Sequence, residues 1–520
     1  MVFSSWTFIL GFLPVALGVF LILPPSWRDT RKAWLCLTSL FFYGYWKVEY
    51  VPLLLFSIGF NFAVAKLIHR WRGDRRGRGA LIAGLAVNLL LLGYYKYTNF
   101  LVSSLGLASE LPFPEFDIIL PLAISFFTFT QIGYIVDVWR DPKLDYRFVD
   151  YALFVLFFPH LIAGPIVRHW EVIPQFAPRD LRVSATDLAV GVAFFLMGLY
   201  KKLLLADPMA RYADAIYGAA AGGAVLPWFD AWLGTVAYAL QIYFDFSGYS
   251  DMAIGLARMF AIKFPCNFDS PYKALSLSDF WRRWHMSLMR FLRDYVYIPL
   301  GGNRCGLARQ SANVLFVFFL SGFWHGAGWT FIVWGLIHGA GIVVALYWRK
   351  FTEWRGWQFR HWSYRGACLL LTFITVLFAW VFFRAPDLPT AGRVAGSMVG
   401  VHGLTISEKT TKPEGAPGEF LSAVGFKFVP DVSGLVPMDY DTAIRLTVVL
   451  LLFVWLLPNT QQLLHRYDPA LEEYIHPSRF QIRLSGWQGL TLGLALGACF
   501  FVVIRQSFTA ASSPFLYFNF

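Results

Sequence analysis

Long apolar blocks recur along the whole chain, separated by short polar or charged connections. Blocks of roughly 17 to 25 apolar residues are long enough to cross the hydrocarbon layer of a bilayer as helices. The pattern predicts helices near 6–23, 33–46, 51–68, 80–101, 118–139, 149–166, 186–205, 228–244, 312–324, 328–348, 366–383, 442–457 and 486–505. Several are too short to span alone and are expected to be broken or re-entrant, which lipid tolerates only where the irregular backbone is enclosed by protein. The expected fold is therefore an all-α polytopic membrane protein with about 11–13 transmembrane or re-entrant helices.

Charge orients these helices. The loop 24–32 carries Arg28, Arg31 and Lys32, and the loop 69–79 carries Arg70, Arg72, Arg75, Arg76 and Arg78. Both are expected on the cytoplasmic side, which places the N-terminus outside. The stretch 102–117, with Glu110, Glu115 and Asp117, then falls outside. Segment 384–441 holds seven acids (Asp387, Glu408, Glu414, Glu419, Asp431, Asp439 and Asp441) against five bases, and is expected to be an external loop and a docking surface. The basic stretch 263–311 should be cytoplasmic but has the wrong parity, so at least one earlier segment is expected to be re-entrant. No internal repeat or low-complexity linker divides residues 1–520, which read as one domain.

Composition supports this reading. The 520 residues are 57% hydrophobic and 15% charged, with 21 Trp, 24 Tyr and 52 Phe and a mean hydropathy of +0.53; a water-soluble fold is excluded. The net charge of +12 comes without a long basic tail and fits positive loops rather than nucleic acid. Cys36, Cys266, Cys305, Cys368 and Cys499 are scattered, so neither a disulfide framework nor a thiolate metal site is suggested. The first apolar run has no basic residue before it and Pro24 and Pro25 after it, and is expected to be a retained helix rather than a cleaved signal.

The candidate chemistry lies in the second half. In 276–304, SLSDFWRRWHMSLMRFLRDYVYIPLGGNR, Ser276 or Ser278 is placed to cap a helix. At helical spacing, Trp281, Trp284, His285, Leu288, Phe291, Leu292 and Tyr295 share one face, and Arg282, Arg283, Arg290 and Arg293 share another. That pattern predicts one amphipathic helix at the cytoplasmic interface, ending in a Gly turn, with His285 turned away from water. The pattern equally admits a simple anchoring helix whose histidine is a hydrogen-bonded core residue. In 312–349, the apolar run before Gly-Phe-Trp-His-Gly is about 20 Å of helix, which places His325 at membrane depth. An ionisable group there is a functional-site hypothesis, and Gly322, Gly326 and Gly328 permit close approach of chain or ligand. His338 reads as a histidine at a small-residue helix contact beside Gly335, Gly339 and Gly341.

A third cluster, QIYFDFSGYSDMAIG, holds Gln241, Tyr243, Asp245, Ser247, Tyr249 and Asp251. These groups must face a polar interior; the simplest expectation pairs the two carboxylates with the neighbouring arginines, and the alternatives are orienting a histidine or lining a tunnel. His160 and Asp137 read as structural. The sequence contains no G-x-S-x-G, H-E-x-x-H, G-x-x-x-x-G-K or G-x-G-x-x-G, which disfavours serine hydrolase, zinc protease, P-loop ATPase and dinucleotide chemistry.

Four stretches, YFDFSGYSDMAIG, DFWRRWHMSLMRFLRDYVYIPLGGNR, SGFWHGAGWTFIVWGLIHG and the terminal SPFLYFNF, resemble the membrane-bound O-acyltransferases, and most closely the branch that acetylates exopolysaccharides such as alginate. The likeness spans essentially the whole chain; 384–441 and 459–485 look divergent. The resemblance implies a helical funnel in which a buried histidine promotes acyl transfer from a cytoplasmic donor toward the outer face. It makes His325 and His285 the expected catalytic residues, with Asp245, Asp251, Tyr249, Trp324, Trp284, Arg283 and Asn303 binding or orienting. It further implies acetyl-CoA as co-substrate with no permanently bound cofactor, periplasmic acetyltransferase or adaptor proteins and membrane lipids as partners, and the bacterial inner membrane as location. Acetylation of cellulose or another polymer, D-alanyl transfer and lipid acyl transfer stay open within the family. Outside it, a secondary transporter is disfavoured by the lack of two related halves, and a pure scaffold does not explain a buried histidine collared by glycines.

Overall fold

Apolar segments fold as helices throughout. The structure, a computed structural model, describes residues 1–109, 116–141, 143–176, 182–359, 361–408, 410, 416–429, 439–471, 481–507 and 515–516. Glu110, Glu115, Glu414 and Asp431 lie outside the described residues, and of SPFLYFNF only Phe515 and Leu516 lie within them. Before the central basic stretch run α1 (Leu13–Ile22), α2 (Arg28–Gly44), α3 (Val51–Arg70), α4 (Arg75–Leu92), α5 (Thr98–Ser109), α6 (Ile124–Arg140), α7 (Phe148–Leu156), α8 (Phe158–Leu161), α9 (His169–Val172), α10 (Ala185–Tyr200), α11 (Asp207–Ala221) and α12 (Trp228–Met259). After them come α13 (Leu277–Arg283), α14 (Met286–Leu292), α15 (Leu307–His325), α16 (Trp329–Arg355), α17 (Trp362–Arg384), α18 (Leu388–Met398), α19 (Ala416–Ala423), α20 (Tyr440–Leu456), α21 (Thr460–Leu463) and α22 (Gly486–Ser507). Turns of π-helix occupy Thr7–Phe12, Gly93–Tyr97, Lys201–Ala206 and Arg293–Tyr297.

Among the described residues, six helical stretches are long and apolar enough to cross a membrane: Val48–Arg70, Arg75–Gly106, Ala185–Ala221, Trp329–Arg355, Trp362–Arg384 and Gly486–Val503. This makes the protein a multi-pass membrane protein. The remaining apolar blocks also form helices, but shorter or more polar ones. α6 has 17 residues, α12 carries Asp230, Asp245 and Asp251, and α15 begins with Arg309, Gln310 and Asn313. Two blocks extend further than the sequence suggested, because the π turns at Gly93–Tyr97 and Lys201–Ala206 carry the helix on rather than ending it.

Residues Met1–Leu199, Tyr249–Asn267 and Thr460–Asn519 form a first unit, and Tyr200–Gly248 and Phe268–Asn459 a second. Polar pairs hold the apolar helices of the first unit together. Asn61 and Asn88 exchange amide hydrogen bonds at 3.2 and 2.7 Å between α3 and α4. Gln131 donates to Ser57 Oγ at 2.8 Å and accepts from Tyr151 OH at 3.1 Å, joining α3, α6 and α7. Such side chains pair across helices because hydrocarbon offers no other partner. Near the helix ends, Lys32 pairs with Asp150 at 2.5 Å, and His169 lies between Asp137 Oδ2 (3.2 Å) and Tyr146 OH (3.1 Å). His160 bonds the Phe154 carbonyl at 2.8 Å. Asp137 and His160 are thus both engaged in packing contacts.

In the second unit α15 and α16 form a helical hairpin turned at Gly326–Gly328. Their crossing is set by glycines: a Cβ on Gly322 would lie 2.3 Å from the Phe331 carbonyl oxygen, and one on Gly335 2.2 Å from that of Phe318. α18 is capped by Asp387, whose Oδ1 accepts the Thr390 N–H at 2.7 Å. Beyond it, β1 (Thr405–Ser407) and β2 (Lys427–Val429) pair in parallel with α19 in the connection. The described residues of 384–441 therefore include two helices and a pair of short strands.

Candidate active site

Ser276 opens the site. Its hydroxyl accepts the Asp279 N–H at 3.1 Å and starts α13, as an N-cap does. The predicted continuous amphipathic helix is not formed; it breaks at Trp284 and His285. Trp284 is extended and makes an antiparallel bridge with Phe268, while the Asp269 N–H donates to the Arg283 carbonyl at 2.9 Å. This pairing with a distant segment removes Trp284 from the helix. His285 then adopts φ 45°, ψ 50° and α14 restarts at Met286. Left-handed backbone is costly for a residue with a Cβ, and here it turns the imidazole into the interior, where His285 has no exposed surface.

Four aromatic or imidazole rings surround the two expected catalytic residues. Phe246 of α12 meets His285 edge-on at 4.7 Å. His325, the last residue of α15 and 3% exposed, lies 6.3 Å from His285 between ring centroids, at 56°. Trp324 adjoins both, at 6.3 Å from His285 and 4.9 Å from His325. Trp334 of α16 and Phe383 of α17 close on His325 at 5.0 and 5.3 Å, both edge-on. Burial pushes the His285 imidazole down to about 3, because taking a cation out of water is unfavourable. His285 is therefore neutral near pH 7, able to donate from one ring nitrogen and accept at the other. Two imidazoles at this separation can both reach one hydroxyl or carbonyl placed beside them, the geometry general base catalysis requires.

The other expected site residues divide. Trp284 packs behind His285 against Phe268 at 5.0 Å and Trp380 at 5.0 Å. Asp245 has a partner that the simplest expectation did not name. Its carboxylate forms an ion pair with Lys202 Nζ at 2.6 Å, and the same ammonium reaches Asp207 at 2.9 Å. Arg283 is held by Asp279 at 3.0 Å and by the Asp269 carbonyl oxygen at 3.4 Å. Asn303 is exposed in the turn before α15. Tyr249 and Asp251 belong to the first unit: Tyr249 lies between Phe3 (4.8 Å) and Phe515 (4.5 Å), and Asp251 accepts from Thr460 Oγ1 at 2.7 Å. Sequence reasoning missed Lys202, Phe246, Trp334 and Phe383. The paired lysines Lys201 and Lys202 at the end of an apolar block were the available signal for the first.

Comparison with known proteins matches this architecture. Residues 140–384, which include both histidines, match the family model described as MBOAT, membrane-bound O-acyltransferase family. The peptidoglycan O-acetyltransferase of Helicobacter pylori is 38% identical over 548 aligned positions, covering 100% of this chain and 98% of the relative. The probable alginate O-acetylase of Pseudomonas aeruginosa is 39% identical over 423 positions, covering 78% of this chain and 76% of the relative. The teichoic acid D-alanyltransferase of Bacillus subtilis is 27% identical, covering 57% of this chain and 82% of the relative. With a relative of this identity aligned along the whole of this chain, and with two buried histidines converging inside the matched region, the chain belongs to the membrane-bound O-acyltransferase family and is an acyltransferase.

Proposed function

We propose that this protein is an O-acetyltransferase of the bacterial inner membrane, which takes acetyl groups from cytoplasmic acetyl-CoA and sends them outward for O-acetylation of a cell-surface glycan. The convergence of His325 and His285 within 6.3 Å, both buried among aromatic rings, carries this reading. His325 acts as general base. As the acceptor hydroxyl oxygen attacks the thioester carbonyl, the imidazole removes its proton; the carbon–sulfur bond then breaks, and the proton passes to the departing CoA thiolate. Neutral His285 donates a hydrogen bond to the oxyanion that forms between these steps, in a site where exclusion of water strengthens such contacts. The acceptor is a hydroxyl of an outward-facing partner enzyme or carrier, which passes the acetyl group to the polymer, and segment 384–441 is the surface on which that partner docks.

Two glycans fit. Alginate is supported by the motif likeness and by relatives covering 78% of the chain; peptidoglycan is supported by a relative aligned along all of it. The test is transfer from radiolabelled acetyl-CoA in inverted membrane vesicles, with and without a periplasmic extract, followed by alkaline release of ester-linked acetate from purified peptidoglycan and exopolysaccharide of producing cells. Label and ester acetate should be lost in a stably expressed His325→Ala variant, and the polymer that loses its acetate is the substrate. Unimpaired acetylation in that variant would sink the proposal.

A further inference from the structure

A further buried histidine near these two has no part in the chemistry just described. His338 lies on α16 one turn beyond Trp334 and has no exposed surface. Its Nδ1 accepts the Trp281 indole N–H at 3.2 Å, so in this neutral ring the proton sits on Nε2. That N–H is buried and meets no hydrogen-bond acceptor among the described residues. A buried donor left unmet costs about 1–3 kcal/mol. The surroundings are aromatic: Phe280 lies parallel at 6.1 Å, and Trp334 crosses at 5.2 Å. A phenylalanine would fill that cage but leave the Trp281 indole N–H unmet in its place, so what calls for histidine here is the acceptor it offers Trp281 and not its shape.

Position explains what packing does not. Trp334 is the shared neighbour, meeting His338 at 5.2 Å on one side and the edge of His325 at 5.0 Å on the other. Trp281 also meets Trp334, at 5.6 Å. Trp281 belongs to α13, the helix that leads into His285. One hydrogen bond, Trp281 to His338, thus ties the helix that delivers His285 to the helix that faces His325.

We infer that His338 is a positioning residue for the two-histidine site, fixing α13 on α16 through the Trp281 indole and holding Trp334 against the His325 ring. It touches neither acyl donor nor acceptor. The inference rests on the acetyl-transfer reading of His285 and His325.

The test uses three full-length variants. His338→Phe keeps a ring and removes the acceptor, Trp281→Phe removes the donor, and His338→Asn restores an acceptor close to the Nδ1 position. Two readouts are taken on folded protein: kcat and KM for acetyl-CoA, and the rate at which diethyl pyrocarbonate modifies His325, followed by peptide mass spectrometry. His338→Phe and Trp281→Phe should each lower kcat about tenfold with KM within about twofold, the pattern of a lost transition-state arrangement, and change the His325 modification rate severalfold. His338→Asn should recover most of both. Wild-type kcat and modification rate in the two phenylalanine variants would overturn the inference, as would a loss confined to the amount of folded protein. If His338→Phe does not fold, Trp281→Phe decides. If the wild type itself transfers no acetyl group, the acetyl-transfer reading fails, while the modification rates still judge whether His338 positions His325.

Discussion

Gly322 and Gly335 face each other across the α15–α16 crossing so closely that a Cβ on either would lie within 3.4 Å of the other's Cα. The contact sits one helical turn from His325. Small residues let helix backbones approach in lipid, and here that approach brings the end of α15 to Trp334. Gly335→Ala should therefore destabilise the protein by about 1–3 kcal/mol, the usual cost of overpacking, and should lower acetyl transfer further by displacing His325. Gly366→Ala on α17, where nothing lies within 4 Å of the added methyl, serves as control. Equal thermal midpoints for the two variants in detergent would refute the argument.

His285 carries both a backbone and a side-chain requirement. Its φ of 45° favours glycine or asparagine, with about 1–2 kcal/mol against other residues. His285→Asn and His285→Gly should fold better than His285→Ala while all three lose activity. Thermal midpoints ranked the other way would show that the left-handed turn contributes nothing.

Acid should unfold the protein partly through the same residue. Burial holds His285 down to about 3, against an ordinary value of about 6.5. Between those values the unfolded chain binds a proton that the folded chain does not, so stability falls as pH drops below about 6.5, by at most about 1.4 kcal/mol per pH unit, and is flat above pH 7. The thermal midpoint of wild type should drop between pH 7 and pH 5 by more than that of His285→Gln. Parallel pH profiles would count against a neutral buried imidazole.

The ammonium of Lys202 is shared by Asp245 and Asp207, and the side chains of Lys202 and Asp245 are 3% and 2% exposed. Lys202→Met removes the buried cation that these two carboxylates share and should cost about 3–5 kcal/mol. Lys202→Met combined with Asp245→Asn should cost less than the sum of the single changes. Additive losses in a thermal-stability cycle would mean that the pair is not coupled.

Local patterns were legible in the sequence and nonlocal ones were not. That His285 and His325 share a site was implied only by the family resemblance, whereas the Ser276 cap and the helices followed from periodicity. The break at Trp284 did not, because its cause is a bridge to Phe268 rather than anything within 276–304. The pairing of Asp245 with Lys202 was not foreseen either, because Lys202 is presented by the π turn after α10 and not from nearby in the chain. Tyr249 and Asp251 share a motif with Asp245, yet they fall in the other unit, because α12 passes from one unit to the other at Gly248.

The π turn at Lys201–Ala206 has a bearing on how this chain can change over time. Such a turn holds one residue more than an α-helical turn of the same rise, so it behaves as an insertion that the helix has absorbed. Deleting any one residue of 201–206 would restore an ordinary helix locally and rotate everything beyond it by about 100°. The face of α11 formed by Met209, Ala213, Ile216, Tyr217 and Ala220, now buried, would swing out of its packing. Side chains of this turn other than Lys202 and the buried Ala206 can change, whereas its length is fixed by the helix that follows.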